Sequence, residues 1–401
     1  MIRKFLPCLL IIITSFFTIQ LHAEQKPWTF LVYMAAANNL NPFALYDLDE
    51  MIRAGSNDNI NVIVYLTYQE EGGSKITKKL YVTTNGLEQI GDAMVRDSGD
   101  VATLKEALEW ACVDYPADHM AAVLWDHGSG PLNRDGNHIV PRGVCYDDET
   151  GNYLTDRDCL QAFSWARDTF RRGSKFDIIA FDACLMATVE MAYTLSSCAN
   201  YMVASEETIP GDGFQYADLL MPFRTTIMSS FDFARHMIAT YKEEYTGSTD
   251  YTLSLTDLGA VQGLVKNINA VAQILVTQLK SIYKLTVKST LRKCVSSTSC
   301  VSFDDGNYID LLNFYKNVLT NIAGLRLSSS VSLQLKKLLN DGIALFGSVI
   351  KANVMSNNYS KVGGLTMYMA RYAIDSSYSQ LYWTQYNPQW LSFLKAYTSI
   401  L

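Results

Sequence analysis

The stretch FDIIAFDACLMATVEMAYTL, residues 176–195, decides the fold. Its first half, Ile178-Ile179-Ala180-Phe181, is apolar without alternation; it stops at Asp182-Ala183-Cys184, and a helical pattern follows. A short apolar run with no polar face is covered on both sides, as strands are inside a parallel sheet flanked by helices. The same pattern recurs outward. Upstream lie Trp28–Met34 (WTFLVYM), Ile60–Tyr68 (INVIVYLTY) and Met120–Trp125 (MAAVLW), the last ending in Asp126-His127-Gly128, and downstream lies Tyr201–Ala204 (YMVA). Residues 79–83 read as part of a hairpin-like region. Between the strands the sequence predicts helices over Asn41–Ala54, over Val101–Cys112, and from Asp156 to about Phe170 behind a Thr155 cap. Asn41-Pro42 reads as an N-cap followed by proline at the first helical position. The expected class is α/β, a mostly parallel sheet sandwiched by helices.

Beyond about residue 250 the character shifts. Tyr251–Leu255 and Gly364–Met369 still read as strands, but long helical patterns such as Val261–Lys280 and Tyr308–Leu319 dominate. The expected organisation is a sheet-centred domain over 24–250 and a helix-rich portion over 251–401 packed on the same sheet. Residues 1–23 read as a signal peptide: Arg3 and Lys4 are basic, Phe5–Phe17 is apolar, and Leu21-His22-Ala23 forms a small-residue cleavage site. The apolar stretch falls short of the roughly 20 residues that a membrane span needs. The protein is therefore expected to be exported, periplasmic or secreted, with no membrane association once the signal is removed.

The 401 residues are 49% hydrophobic and 18% charged, as in a globular protein, and the net charge of −7 leaves no basic footprint for nucleic acid. Outside the signal segment seven cysteines remain, an odd number, so at least one thiol is free or pairs between chains. Cys294 and Cys300 flank a polar VSSTS loop, and a bridge and two reduced thiols are both open readings. No HExxH motif, EF-hand loop or zinc-ligand spacing is present, so no metal site is expected.

In parallel sheets, ligands bind at the carboxyl ends of the strands. His127 and Cys184 both stand at such ends. A thiol with an imidazole in reach is the minimum for nucleophilic attack on a carbonyl. The main-chain amides of Gly128 and Cys184 are candidate donors to an oxyanion. Cys184 is also expected at the start of a helix, where the dipole favours thiolate. Taken singly, each residue also has a plain structural reading, the cysteine as a small buried hydrophobe and the histidine as a turn residue.

LWDHGSG (124–130), FDACLMATVEMAYTL (181–195) and ASEETIPGDGFQY (204–216) resemble the clostripain family of cysteine peptidases, within the clan of caspases, gingipains and legumain. VYMAAANNL (32–40), RGVCYDDETGNYLT (142–155), YTLSLTDL (251–258) and GGLTMYM (363–369) resemble further segments of that family. The resemblance implies a caspase-like catalytic domain, with His127 and Cys184 as a dyad that has no obligatory third member. It implies cleavage of peptides after Arg, or Lys, with Asp182 and Asp212 as acidic pocket residues, loss of Asp212 lowering cleavage after Arg at least about a hundredfold. Some members are cut into two chains between the histidine and the cysteine; Arg142-Gly143 is the expected bond here, with Arg134 and Arg172-Gly173 as competitors. No cofactor is expected to be required. Calcium stimulates some members, and Asp147-Asp148-Glu149 is the acidic loop that could take it, although a solvated charge cluster is the preferred reading. The expected partners are peptide or protein substrates met by a monomer. Two rival readings are a silent protein that binds basic peptides and a cysteine hydrolase of non-peptide amides.

Overall fold

In the central strands, consecutive side chains alternate between two separate cores. Phe30, Val32 and Met34 join one, and Leu31, Tyr33 and Ala35 join the other. The same split divides Ala121, Val123 and Trp125 from Ala122 and Leu124. Each fully buried Phe, Leu, Val or Met among them contributes about 1.5–3 kcal/mol, so both faces need a helical cover. A computed structural model of the chain describes residues 25–70, 72–130, 143–248, 250–303 and 306–400. The expected signal segment lies outside the described residues, as do Arg134 and Arg142.

The strands are β1 Lys26–Ala36, β2 Ile60–Gln69, β3 Lys75–Thr83, β4 Gly86–Gln89, β5 Ala117–Trp125, β6 Val144–Asp147 and β7 Asn152–Leu154, then β8 Phe176–Asp182, β9 Ala199–Ala204, β10 Thr252–Asp257, β11 Ser302–Phe303, β12 Tyr308–Asp310, β13 Ile350–Met355 and β14 Thr366–Tyr368. Nine of them form one sheet in the order β13-β10-β9-β8-β5-β1-β2-β3-β4. The run from β9 to β2 is parallel throughout, and the edges are antiparallel. The helices are α1 Asn41–Ala54, α2 Val101–Asp114, α3 Asp156–Thr169, α4 Val189–Leu195, α5 Tyr216–Leu220, α6 Ser230–Tyr245, α7 Val261–Leu279, α8 Lys284–Cys294, α9 Leu311–Thr320, α10 Ser329–Val349, α11 Tyr382–Tyr386 and α12 Pro388–Thr398. Helices α1, α5 and α6 cover one face; α2, α3, α4 and the long C-terminal helices, α7 among them, cover the other.

Several local expectations hold, and others move. Thr155 caps α3 through a reciprocal capping box with Asp158. Asn41 lies inside α1 rather than capping it, and its amide donates to the Gln69 carbonyl at 2.9 Å. Tyr308–Asp310, read as the start of a helix, is instead strand β12, and the Asp310 side chain caps α9. The Gly364–Met369 strand is β14, and it joins β11 and β12 in a small separate sheet. Strand β13 was not anticipated: it follows α10 without a break and its residues are only half-buried, so it has no continuous apolar run to read.

Candidate active site

Strands β5 and β8 pair in parallel with Trp125 opposite Asp182. The Asp126 amide extends the ladder to the Asp182 carbonyl at 3.2 Å. Two residues beyond that pair on either strand stand His127 and Cys184, which places both at one rim. The Gly128 backbone lies against the cysteine so closely that a Cβ there would meet the Cys184 carbonyl oxygen at 2.3 Å and its nitrogen at 3.0 Å. Only glycine fits, and its backbone amide acts on the Cys184 thiol.

Cys184 Sγ accepts from the Ile209 amide at 3.3 Å. Burial pushes the thiol above its ordinary pKa, and the Ile209 and Gly128 amides oppose this without outweighing it. Helix α4 does not supply the expected dipole: it starts only at Val189, with Thr188 as its cap, and it is seven residues long. The intervening chain turns back instead. Leu185 takes φ +63°, a region non-glycine residues rarely occupy, and its amide is tied to the Glu207 carbonyl at 3.1 Å. Strain of this kind concentrates at functional sites.

His127 Nε2 lies 2.7 Å from Asn39 Oδ1, while Nδ1 has no hydrogen-bond partner among the described residues. Burial lowers the imidazole pKa, and the Asp148 carboxylate opposes that shift. The ring is therefore neutral at neutral pH, as a general base must be. No hydrogen bond joins it to Sγ among the described residues; such bonds are commonly long before substrate arrives. Beneath the histidine, buried Asp126 accepts from Asn38 Nδ2 at 2.7 Å and from the Tyr146 amide. These two asparagines escaped the sequence reading. The strand-end rule could have found them, because Met34 on β1 pairs with Trp125 on β5, and the residues after β1 share the rim.

Asp182 is buried. Its Oδ2 accepts from the Phe214 amide at 3.1 Å and the Tyr216 hydroxyl at 2.9 Å. Burial lifts its pKa to about 6 against those two bonds. Asp212 is exposed on the loop that wraps past it, where a Cβ on Gly213 would come within 2.8 Å of Asp182 Oδ2. A third acid, Asp47 of α1, was not anticipated. Only 1% exposed, it accepts from Trp125 Nε1 at 2.6 Å. Burial first, and then the Asp182 carboxylate, push its pKa to about 9. The signal was present: Asp47 interrupts the buried stripe Ala44, Leu48 and Met51, where a helix normally places apolar residues.

The acidic loop at 147–149 does not fit a calcium site. Lys75 Nζ sits 3.0 and 2.8 Å from the two oxygens of Asp147 and 3.5 Å from Glu149. The Ser98, Glu149 and Thr150 amides take the remaining Asp147 capacity. An ammonium occupies the place a cation would need.

Gly143, the residue after the expected processing bond, has φ +123° and exchanges hydrogen bonds with Ser129. A Cβ on it would strike the Leu154 carbonyl oxygen at 1.9 Å. Arg172 stands exposed in a turn at φ +55°. Cys294 and Cys300 are free buried thiols.

A rim of this kind suits attack by sulfur on a carbonyl, the chemistry of cysteine hydrolases. The sequence profile of the clostripain family matches residues 32–391, and the chain belongs to that family of cysteine peptidases. Clostripain from Hathewaya histolytica is 26% identical over 220 residues, which is 48% of this chain and 41% of that protein, so the match spans less than half of that relative. A secreted C11 cysteine protease from Bacteroides thetaiotaomicron, solved with an irreversible peptide inhibitor, matches at TM-score 0.64 and 22% identity over 92% of this chain and 99% of that one. An inactive zymogen C11 protease from Parabacteroides distasonis matches at TM-score 0.68 and 19% identity over 91% and 99%. These two likenesses concern the fold, a large mostly parallel sheet flanked by helices. Among the described residues no helix is long and apolar enough to cross a membrane.

Proposed function

We propose that this protein is an exported cysteine endopeptidase that hydrolyses peptide bonds after Arg or Lys. The observation that carries the reading is the pairing of β5 with β8, which sets His127, Gly128 and Cys184 together at one rim beside the buried Asp182. In this reading His127 takes the thiol proton as Sγ bonds to the scissile carbonyl carbon. The Gly128 and Cys184 amides bear the oxyanion. Collapse breaks the C–N bond, and the leaving amine takes the proton from the imidazolium. Water, deprotonated by His127, then adds to the thioester carbonyl, the C–S bond breaks to release the acid, and the imidazolium returns its proton to Sγ. Asp182 and Asp212 hold the cationic side chain before the scissile bond, because a desolvated guanidinium or ammonium needs a carboxylate partner.

Export is supported by the basic and apolar pattern of residues 1–23 and by the description of the Bacteroides relative as secreted. Processing at Arg142-Gly143, in a chain that acts as a monomer, completes the proposal. N-terminal sequencing of the purified protein is expected to find Gly143 as a new terminus, and Cys184→Ala is expected to stay in one piece. Termini after Arg134 or Arg172 would sink that bond.

The test of the activity is a set of peptides differing only before the scissile bond, with Arg, Lys, citrulline or Glu. Arg and Lys peptides are expected to be cut and the others poorly. Cys184→Ala and His127→Ala should each nearly abolish hydrolysis while the protein stays folded, because nucleophile and base act as a unit. Preference for citrulline or Glu, or substantial activity in either pure variant, contradicts the reading.

A further inference from the structure

Asp47 is a buried acid without a structural counter-charge. One turn along α1, Glu50 is paired with Arg53 at 2.6 Å, whereas no lysine, arginine or histidine pairs with Asp47 or Asp182 among the described residues. Trp125, whose indole N–H holds Asp47 Oδ2, is the strand neighbour of Asp182, and both side chains stand on the face covered by α1. The loop that carries Asp212 closes the same space. Gly211 packs on the ring of Phe43, where a Cβ would approach to 2.9 Å, and Phe43 lies one turn before Asp47 on α1. The Asp182 carboxylate, then Glu50 and last Asp212, raise the cost of ionising Asp47.

One oxygen of each buried acid is unspent. Oδ2 of Asp182 accepts from Phe214 and Tyr216 and Oδ2 of Asp47 from Trp125, but neither Oδ1 has a donor among the described residues. Asp47 is 1% exposed and Asp182 4%, so both acids are almost wholly withdrawn from water. Burial raises Asp47 to about 9, so in the empty site it holds its proton at neutral pH, and a cation entering between it and Asp182 displaces that proton and restores the charge.

We propose that Asp47 is the third carboxylate of the specificity pocket, and that with Asp182 it forms a two-sided floor that favours arginine over lysine before the scissile bond. The inference rests on the reading of the rim as the site of a peptidase that cuts after basic residues. A planar guanidinium presents five donors in a fixed fork and can bond two carboxylates at once. An ammonium is a compact point charge and does not span them in the same way.

The test uses Asp47→Asn, which retains an oxygen for the Trp125 indole, with Arg, Lys and citrulline peptides of otherwise identical sequence. The Arg-to-citrulline ratio of kcat/KM is expected to fall at least tenfold, mainly through KM, and the Arg-to-Lys ratio to fall with it. A fall of less than tenfold in the first ratio, or equal losses on all three peptides, overturns the assignment. Asp47→Ser serves as the second variant. If neither variant folds the proposal is equally overturned, because a carboxylate reserved for a ligand is dispensable to the empty fold. A wild-type protein that cuts citrulline as well as Arg instead overturns the underlying reading of the pocket, an outcome visible before any variant is made.

Discussion

Two buried acidic centres contain closely similar chemistry and are handled in opposite ways. At Asp147 both carboxylate oxygens are filled by Lys75, Ser98 and the amides of its own turn, and the lysine side chain is itself only 5% exposed. At Asp182 and Asp47 the chain supplies hydrogen bonds to one oxygen of each and no cation among the described residues. A desolvated charge must be paired, neutralised or released to water. The first centre is paired from within and belongs to the fold. The second has no internal partner among the described residues, its pKa values are raised to about 6 and about 9, and in the proposed reading it receives the entering cation. An acidic cluster becomes informative only when its counter-charges have been located.

Substitutions at the two centres should have opposite consequences. The largest effect is expected at Asp147: Asp147→Ala leaves the buried Lys75 with only the exposed Glu149 carboxylate at 3.5 Å, and unfolding by denaturant should show a loss of about 3–5 kcal/mol. The Arg-to-citrulline selectivity of the surviving folded protein should be that of the wild type. A large selectivity change there, with little loss of stability, would reverse the roles given to the two centres. Next comes Asp182→Asn, expected to lower kcat/KM for Arg peptides at least about a hundredfold. Its thermal stability should not fall comparably, because no internal cation is orphaned. Asp212 is exposed, so its attraction is screened, and Asp212→Ala should weaken Arg peptides only by about fivefold. That is far less than its motif position alone implies.

pH sharpens the same contrast. The Asp182 carboxyl is raised from 3.8 to about 6, so protonation on the acid side of about pH 6 removes the charge that attracts a basic side chain. The Arg-to-citrulline ratio should therefore fall as pH is lowered through about 6. Protonation of His127, whose pKa lies below its ordinary 6.5, cuts both peptides together and cancels from the ratio. A ratio independent of pH would remove Asp182 from the pocket.

Much of this was legible in the residues. Apolar runs without alternation mark strands covered on both faces, and these gave the parallel centre of the sheet. The rule of strand carboxyl ends then brought His127 and Cys184 to one rim, although they lie far apart in sequence. What escaped had no such pattern. Strand β13 is a half-buried edge whose side chains follow no two-sided apolar run. The late start of α4 was hidden because residues 183–188 are as apolar as the helix they precede. Asn39 acts on His127 through a contact between residues 88 positions apart. Lys75 looks like any strand lysine until folding sets it on Asp147. Asp47 was the exception, a charge on the apolar stripe of α1 that periodicity alone marks as anomalous.

Whether the second acidic centre is reserved for a cation is decided by calorimetric titration of Cys184→Ala protein at neutral pH with a peptide ending in arginine amide and with its citrulline counterpart. The two differ in charge and scarcely in shape. The arginine peptide is expected to bind at least about a hundredfold more tightly, as for a desolvated charge pair, and Asp182→Asn in the same background is expected to erase the difference. Equal affinity for the two peptides would contradict that role for the centre.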